Sequence, residues 1–113
     1  MDCLFCKIIA KDIPTTPVVE NEHVLVISDI RPKRKVHLLA VPRVHVESWN
    51  DISALSGEAQ VALNLAIVEA ARKTGIDASG YRVISNVGSH GGQEIPHLHL
   101  HILGGEPVGP MVA

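Results

Sequence analysis

A chain of 113 residues is long enough to bury one core without disulfide bracing and leaves little for a second, so a single domain over residues 1–113 is expected. The formal charge of −2 gives no broad positive field, and only Phe5, Trp49 and Tyr81 are aromatic, which disfavours both polyanion attraction and base stacking, so no nucleic-acid partner is expected. No apolar run reaches the roughly 20 residues of a membrane span, and the first residues lack the layout of a signal peptide; a soluble cytoplasmic protein with no membrane partner is expected.

In chain order, Leu4 to Ala10 is apolar with Lys7 interspersed and Pro14 beyond, predicting a short helix that ends near Asp12. Cys3 and Cys6 are the only cysteines, and their spacing suits metal or redox chemistry better than a secreted disulfide framework. Val24 to Ile27 and Val36 to Val41 are runs rich in branched residues, the second ended by Pro42, and together they predict an antiparallel hairpin. Between them Arg31, Lys33, Arg34 and Lys35 read as a solvated loop, with phosphate steering as the lesser alternative.

The long helix is expected over about Gly57 to Thr74. Ser56 can cap it, Glu58 suits its positive end, Arg72 and Lys73 suit its negative end, and Gly75 stops it. Leu55, Ala59, Ala62, Leu63, Ala66, Ile67 and Ala70 recur at helical spacing and mark its core face. Tyr81 to Asn86 and His97 to Leu103 read as strands, separated by the glycine-rich loop Gly88-Ser-His-Gly-Gly92. Strands, one long helix and then more strands define an α+β domain.

Chemistry concentrates at His97, His99 and His101, which alternate with Leu98, Leu100 and Ile102. In a strand, side chains of one parity share a face, about 7 Å apart, so three imidazoles line one side while the aliphatic residues enter the core on the other. A histidine-bearing solvent face is the bland alternative; imidazole's use as base, nucleophile or ligand near neutral pH favours a catalytic or metal role. The neighbouring loop Val87-Gly-Ser-His-Gly-Gly-Gln93 is rich in residues that can turn backbone N–H groups toward an anion, which makes phosphate the favoured guest.

Gly91-Gly-Gln-Glu-Ile-Pro-His-Leu-His-Leu-His-Ile-Leu-Gly-Gly105 resembles the signature of the histidine triad (HIT) family, specifically its Hint branch. The resemblance extends through Leu4-Phe-Cys-Lys-Ile-Ile9, Ser28-Asp-Ile-Arg-Pro32, His37-Leu-Leu-Ala-Val-Pro42, Gly80-Tyr-Arg-Val-Ile-Ser-Asn86 and Gly109-Pro-Met111. It implies a HIT-like fold, with a five-stranded antiparallel sheet, one long and one short helix, and a homodimer. It also implies hydrolysis of purine nucleoside phosphoramidates or related nucleotidyl conjugates. Carried onto matching positions, the family roles make His99 the nucleophile and place His101 and Asn86 at the phosphate, with His37 and His97 completing the histidine network. Leu4, Phe5, Ile8 and Ile27 would line the base pocket, Asp29 would hold the ribose, and Gly92, Gln93, Glu94 and Ile95 would border the nucleotide. Glu94 stands where some members carry a serine, and Pro96 where an aromatic residue is common, so leaving-group preference does not transfer.

Attack by a neutral imidazole on phosphorus would give a nucleotidyl-histidine, and water would then release AMP or GMP, with no cofactor required. Zinc needs four ligands, and Cys3, Cys6, His45 and His97 can supply them for a structural site, as in zinc-bearing members of the wider family. Three alternatives stay open: a dinucleoside polyphosphate hydrolase, a nucleotide-binding regulatory module, and a zinc hydrolase that uses His97, His99 and His101 as ligands. The apolar surface suggested by Leu55, Leu63 and Ile67 is a further reason to expect a dimer.

Overall fold

A computed structural model describes residues 3–112. Its elements in chain order are α1 (Leu4–Ile9), β1 (Val19–Glu20), β2 (Val24–Ser28), β3 (Val36–Pro42), a 3-10 segment (Trp49–Ala54), α2 (Gly57–Lys73), β4 (Tyr81–Ile84) and β5 (Leu100–Gly104). The strands form one five-stranded antiparallel sheet in the order β1-β2-β3-β5-β4.

The expected hairpin is β2 and β3, in register from Val24 opposite Pro42 to Ser28 opposite Leu38. Asn21 builds the turn before β2 by accepting from the backbone N–H groups of His23 and Val24. The long helix begins and ends as its sequence dictates: Ser56 accepts from the N–H of Ala59, and Gly75, at φ +76°, takes the left-handed conformation that ends it.

Both faces of the sheet are covered, which explains why Val24 to Ile27 of β2 and Leu38 to Val41 of β3 are apolar at every position instead of alternating. On one face Val24, Val26, Leu38, Ala40, Leu98, Leu100 and Ile102 meet Ala59, Leu63, Ala66, Ile67 and Ala70 of α2. The alanines let the helix approach closely. On the other face Leu25, Ile27, Leu39 and Val41 meet Phe5 and Ile8 of α1. Burying one such side chain is worth about 1.5–3 kcal/mol, so this thin second layer is a substantial attachment for a helix of six residues.

Four expectations need correction. The last strand begins at Leu100, three residues later than expected, because Leu98 donates its N–H to Val46 and does not pair with β3. The strand after α2 stops at Ile84, leaving Asn86 in the loop beyond it. The short helix ends at Ile9. Finally, Leu55, Leu63 and Ile67 are buried beneath the chain's own sheet and offer nothing to a partner. Exposed apolar residues instead include Val61, Leu65 and Val68 on the outer stripe of α2, and Tyr81 and Val83 on the edge strand β4. Among the described residues, no helix is long and apolar enough to cross a membrane.

Candidate active site

The histidine row keeps its alternation although only its end is in the ladder: Leu98, Leu100 and Ile102 enter the α2 core while His99 and His101 face the α1 side. That side is not open strand surface. His99 is only 8% exposed, because α1 lies over it with the Phe5 ring 4.9 Å from its own.

Between α1 and the sheet lies a cavity of about 670 Å³. Leu4, Phe5, Ile8, Ile27 and Leu39 form its apolar end, while Asp29, His37, Asn86, His99 and His101 form its polar end, with Gly92, Glu94 and Ile95 on the rim. Arg31 and Lys33 also border it, so part of the basic run does face the guest. Sequence alone left that open; the mark that distinguishes these two cations is their place two and four residues after Asp29.

Hydrogen bonds fix the tautomers of the row. Nδ1 of His99 donates to the carbonyl of His97 at 2.7 Å, so in the neutral ring the lone pair falls on Nε2. Nδ1 of His37 accepts the backbone N–H of Lys33 at 3.0 Å, so Nε2 of His37 carries the hydrogen and directs it to Nδ1 of His101 at 2.9 Å. Nε2 of His101 therefore bears a hydrogen. Burial, reinforced by His99 and His37, pushes His101 down to about 4, and burial also lowers His37 against the opposing pull of Asp29. Both rings are neutral at neutral pH.

Two expected residues stand elsewhere. His97 is fully buried and does not border the cavity; its ring points to the cysteines, and only its carbonyl serves the row. Gln93 is likewise set back, its amide donating to the carbonyls of Glu47 and Ile95 while its oxygen accepts from Gly88. The glycine loop is wound on itself and is not opened as a cradle. Gly92 donates to Ser89, Gln93 to Gly88, and Gly88 to the Gln93 side chain, so these three N–H groups are already engaged. Polar groups that border the cavity and could meet charge on a guest include His101, Asn86, Arg31 and Lys33.

A second cluster lies behind Phe5. Cys3, Cys6, His45 and His97 present four donor atoms, all within 4.8 Å of one another. Individual separations are 3.3 Å from Cys3 Sγ to His97 Nδ1, 3.2 Å from Cys6 Sγ to His45 Nδ1, 3.6 Å from Cys6 Sγ to His97 Nδ1 and 3.0 Å between the two Nδ1 atoms. The edges of a tetrahedron of zinc ligands are roughly 3.3 to 3.8 Å, given bonds of about 2.0 to 2.3 Å. Nε2 of His97 donates to the carbonyl of Pro42 at 2.9 Å, which turns the bare Nδ1 toward the cluster as a metal-binding histidine requires. The residues fit a zinc ion.

The HIT domain model matches residues 10–108, and the chain belongs to the HIT domain family. It is 38% identical to the purine nucleoside phosphoramidase of Escherichia coli (strain K12) over 112 residues, covering 99% of this chain and 94% of that protein. Protein HitA of Neisseria gonorrhoeae is 39% identical over 103 residues, covering 91% and 95%. Among solved structures, a HIT family hydrolase from Clostridium thermocellum superposes with a TM-score of 0.88 at 36% identity, covering 99% and 97% of the two chains. A histidine triad protein from Clostridium difficile gives 0.87 at 41%, covering 97% and 96%.

Proposed function

We propose that this chain hydrolyses purine nucleoside phosphoramidates or related nucleotidyl conjugates, such as adenylylated amines, through a covalent intermediate on His99. The observation that carries this reading is the bond from His99 Nδ1 to the His97 carbonyl, which makes Nε2 the lone-pair nitrogen of the neutral ring, on a residue that lines the cavity. The similarity to a purine nucleoside phosphoramidase supports the choice of bond.

The base occupies the apolar end against Leu4, Phe5, Ile8 and Ile27, and Asp29 holds the ribose hydroxyls. Nε2 of His99 attacks phosphorus, the phosphorus–nitrogen bond breaks, and the amine leaves with a proton from solvent. Positive charge on the substituted imidazole is stabilised by the Nδ1 hydrogen bond to the His97 carbonyl. His101 donates its Nε2 hydrogen to a phosphoryl oxygen as charge develops there, with Asn86 beside it. Water then displaces His99 from phosphorus, loses its proton to solvent, and leaves AMP or GMP with the imidazole neutral again. The scheme draws on groups of the chain and on solvent protons, and it calls for no cofactor.

Zinc at Cys3, Cys6, His45 and His97 would be structural: four protein ligands leave no position for water, and the ion would tie α1 to the residue that precedes the row. A homodimer completes the proposal, supported by the exposed Tyr81 and Val83 on the free edge of β4, and sedimentation as a monomer at micromolar concentration would remove it.

The test of the central reaction is rapid quenching, above acid pH, of turnover on adenosine phosphoramidates, an adenylylated amine and a dinucleoside polyphosphate. Mass spectrometry should find one nucleoside monophosphate on His99. Absence of the adduct with every substrate would leave direct attack by water, and preferential cleavage of the polyphosphate would reassign the bond.

A further inference from the structure

The metal-binding cluster and the cavity are built on the same few residues. Within Cys3-Leu4-Phe5-Cys6 the two cysteines turn toward His45 and His97, while Leu4 and Phe5 wall the cavity. His97 is shared more closely. Its Nδ1 faces the cluster, its Nε2 is anchored on the Pro42 carbonyl, and its own carbonyl receives the Nδ1 hydrogen of His99. Phe5 closes the circuit, meeting the His97 ring edge-on at 5.7 Å and the His99 ring at 4.9 Å.

A helix of six residues cannot hold its own shape in water, since nucleation is costly and few hydrogen bonds reward it. Among the described residues, the N-terminal turn of α1 is capped by the Cys3 sulfur, which accepts from the N–H of Cys6 at 3.4 Å. Packing of Phe5 and Ile8 keeps α1 on the sheet, and what the two sulfurs hold sets its first turn, from which Leu4 and Phe5 project.

We infer that the Cys3, Cys6, His45 and His97 centre is a positioning device for the reaction. A thiophilic divalent cation held there fixes the Leu4 and Phe5 wall and the His97 carbonyl, and through them sets nucleotide affinity and the tautomer of His99. The four are positioning residues, and the device differs from a plain staple because its effect reaches the reacting ring. Its affinity arm rests on the nucleotide reading of the cavity; its tautomer arm does not.

The experiment compares zinc-loaded, chelator-stripped and reloaded protein at one pH and at a temperature where circular dichroism shows all three folded. Stripping should weaken AMP binding and raise KM by at least about ten-fold, the scale of a lost supporting contact at a functional histidine. Nitrogen-15 shifts of the His99 ring should change from a single Nδ1-protonated tautomer to a mixture, and reloading should reverse both effects. Cys6→Ser should reproduce the stripped values and ignore added zinc, while Cys6→His, which keeps four ligands, should respond as the parent does. If stripping unfolds the parent at every temperature, these two variants in the presence of zinc carry the comparison. Unchanged AMP affinity and unchanged His99 tautomer on stripping would overturn the inference even if the melting temperature fell, as would failure to bind zinc. Should loaded parent not bind AMP, the nucleotide reading fails, and the His99 shifts still decide the coupling.

Discussion

Nε2 of His37 lies 2.9 Å from Nδ1 of His101 and 3.4 Å from the Asp29 carboxylate. Two acceptors thus face one hydrogen; the shorter contact gives it to His101, and the carboxylate holds the donor ring in place. Removing the donor frees His101 to adopt either tautomer. Steady-state kinetics on an adenosine phosphoramidate should show His37→Ala losing about 10- to 100-fold in kcat/KM, as expected for a supporting partner. His101→Ala should lose on the order of 10²- to 10³-fold in kcat, the scale of a donor to developing charge. Parent-like kinetics in His37→Ala would show that the tautomer is set by something else.

Acid should destabilise the fold through the same ring. His101 takes up its proton near 6.5 in the unfolded chain but only at about 4 in the native one, because burial disfavours its charged form. Between those values the unfolded state binds more protons, so stability rises with pH across that window and is lost as pH falls through it. Denaturant midpoints measured from pH 7 to pH 4 should fall on acidification, and His101→Gln should fall less steeply. Parallel profiles for the two proteins would contradict the assignment.

Gly91 has no room for a side chain: a Cβ there would collide with the Val87 carbonyl oxygen and lie 2.8 Å from the Val87 nitrogen. Backbone, unlike a flexible side chain, cannot step aside, so Gly91→Ala must unwind the loop that ends in the cavity rim at Gly92. Overpacking of this kind costs about 1–3 kcal/mol. KM should rise while α2 keeps its hydrogen-exchange protection. Unaltered KM would mean that the loop does not shape the cavity.

Beneath the row, Ile102 is fully buried between its register partners Leu38 and Val83. Chemical denaturation should show Ile102→Ala losing about 2–5 kcal/mol. Val61→Ala, on an exposed face of α2, should stay within about 0.5 kcal/mol of the parent. Equal losses at the two positions would show that the face of α2 has been misassigned.

Local chemistry made much of this legible. Ser56, Gly75 and the spacing of Ala59, Leu63, Ala66 and Ala70 define α2 because caps and periodicity act within the helix itself. The parity of His99 and His101 followed from strand geometry. What escaped was decided by distant partners. The two-residue β1 owes its existence to pairing with β2, and no pattern of its own could announce it. The 3-10 segment from Trp49 is capped by Ser48 but interrupted at Asp51, too irregular for a period. Leu98 donates to Val46 because the chain crosses there, which delays β5. The glycine loop closes on the Gln93 side chain, a contact that glycine content alone does not specify.

The split of the row between two faces also governs which changes in chain length the protein can survive. Inserting or deleting a single residue within 97–102 would exchange the parities, driving imidazoles into the α2 layer and leucines into the cavity. Pairs of residues could be gained without that inversion, although the ladder with β3 from His37 opposite Leu103 to Ala40 opposite Leu100 would still have to shift. Ser79, Gly80 and the turn around Gly105 lie outside the row, and there a single extra residue leaves both faces as they are. Point substitution can therefore retune this site, whereas frame within the segment is fixed.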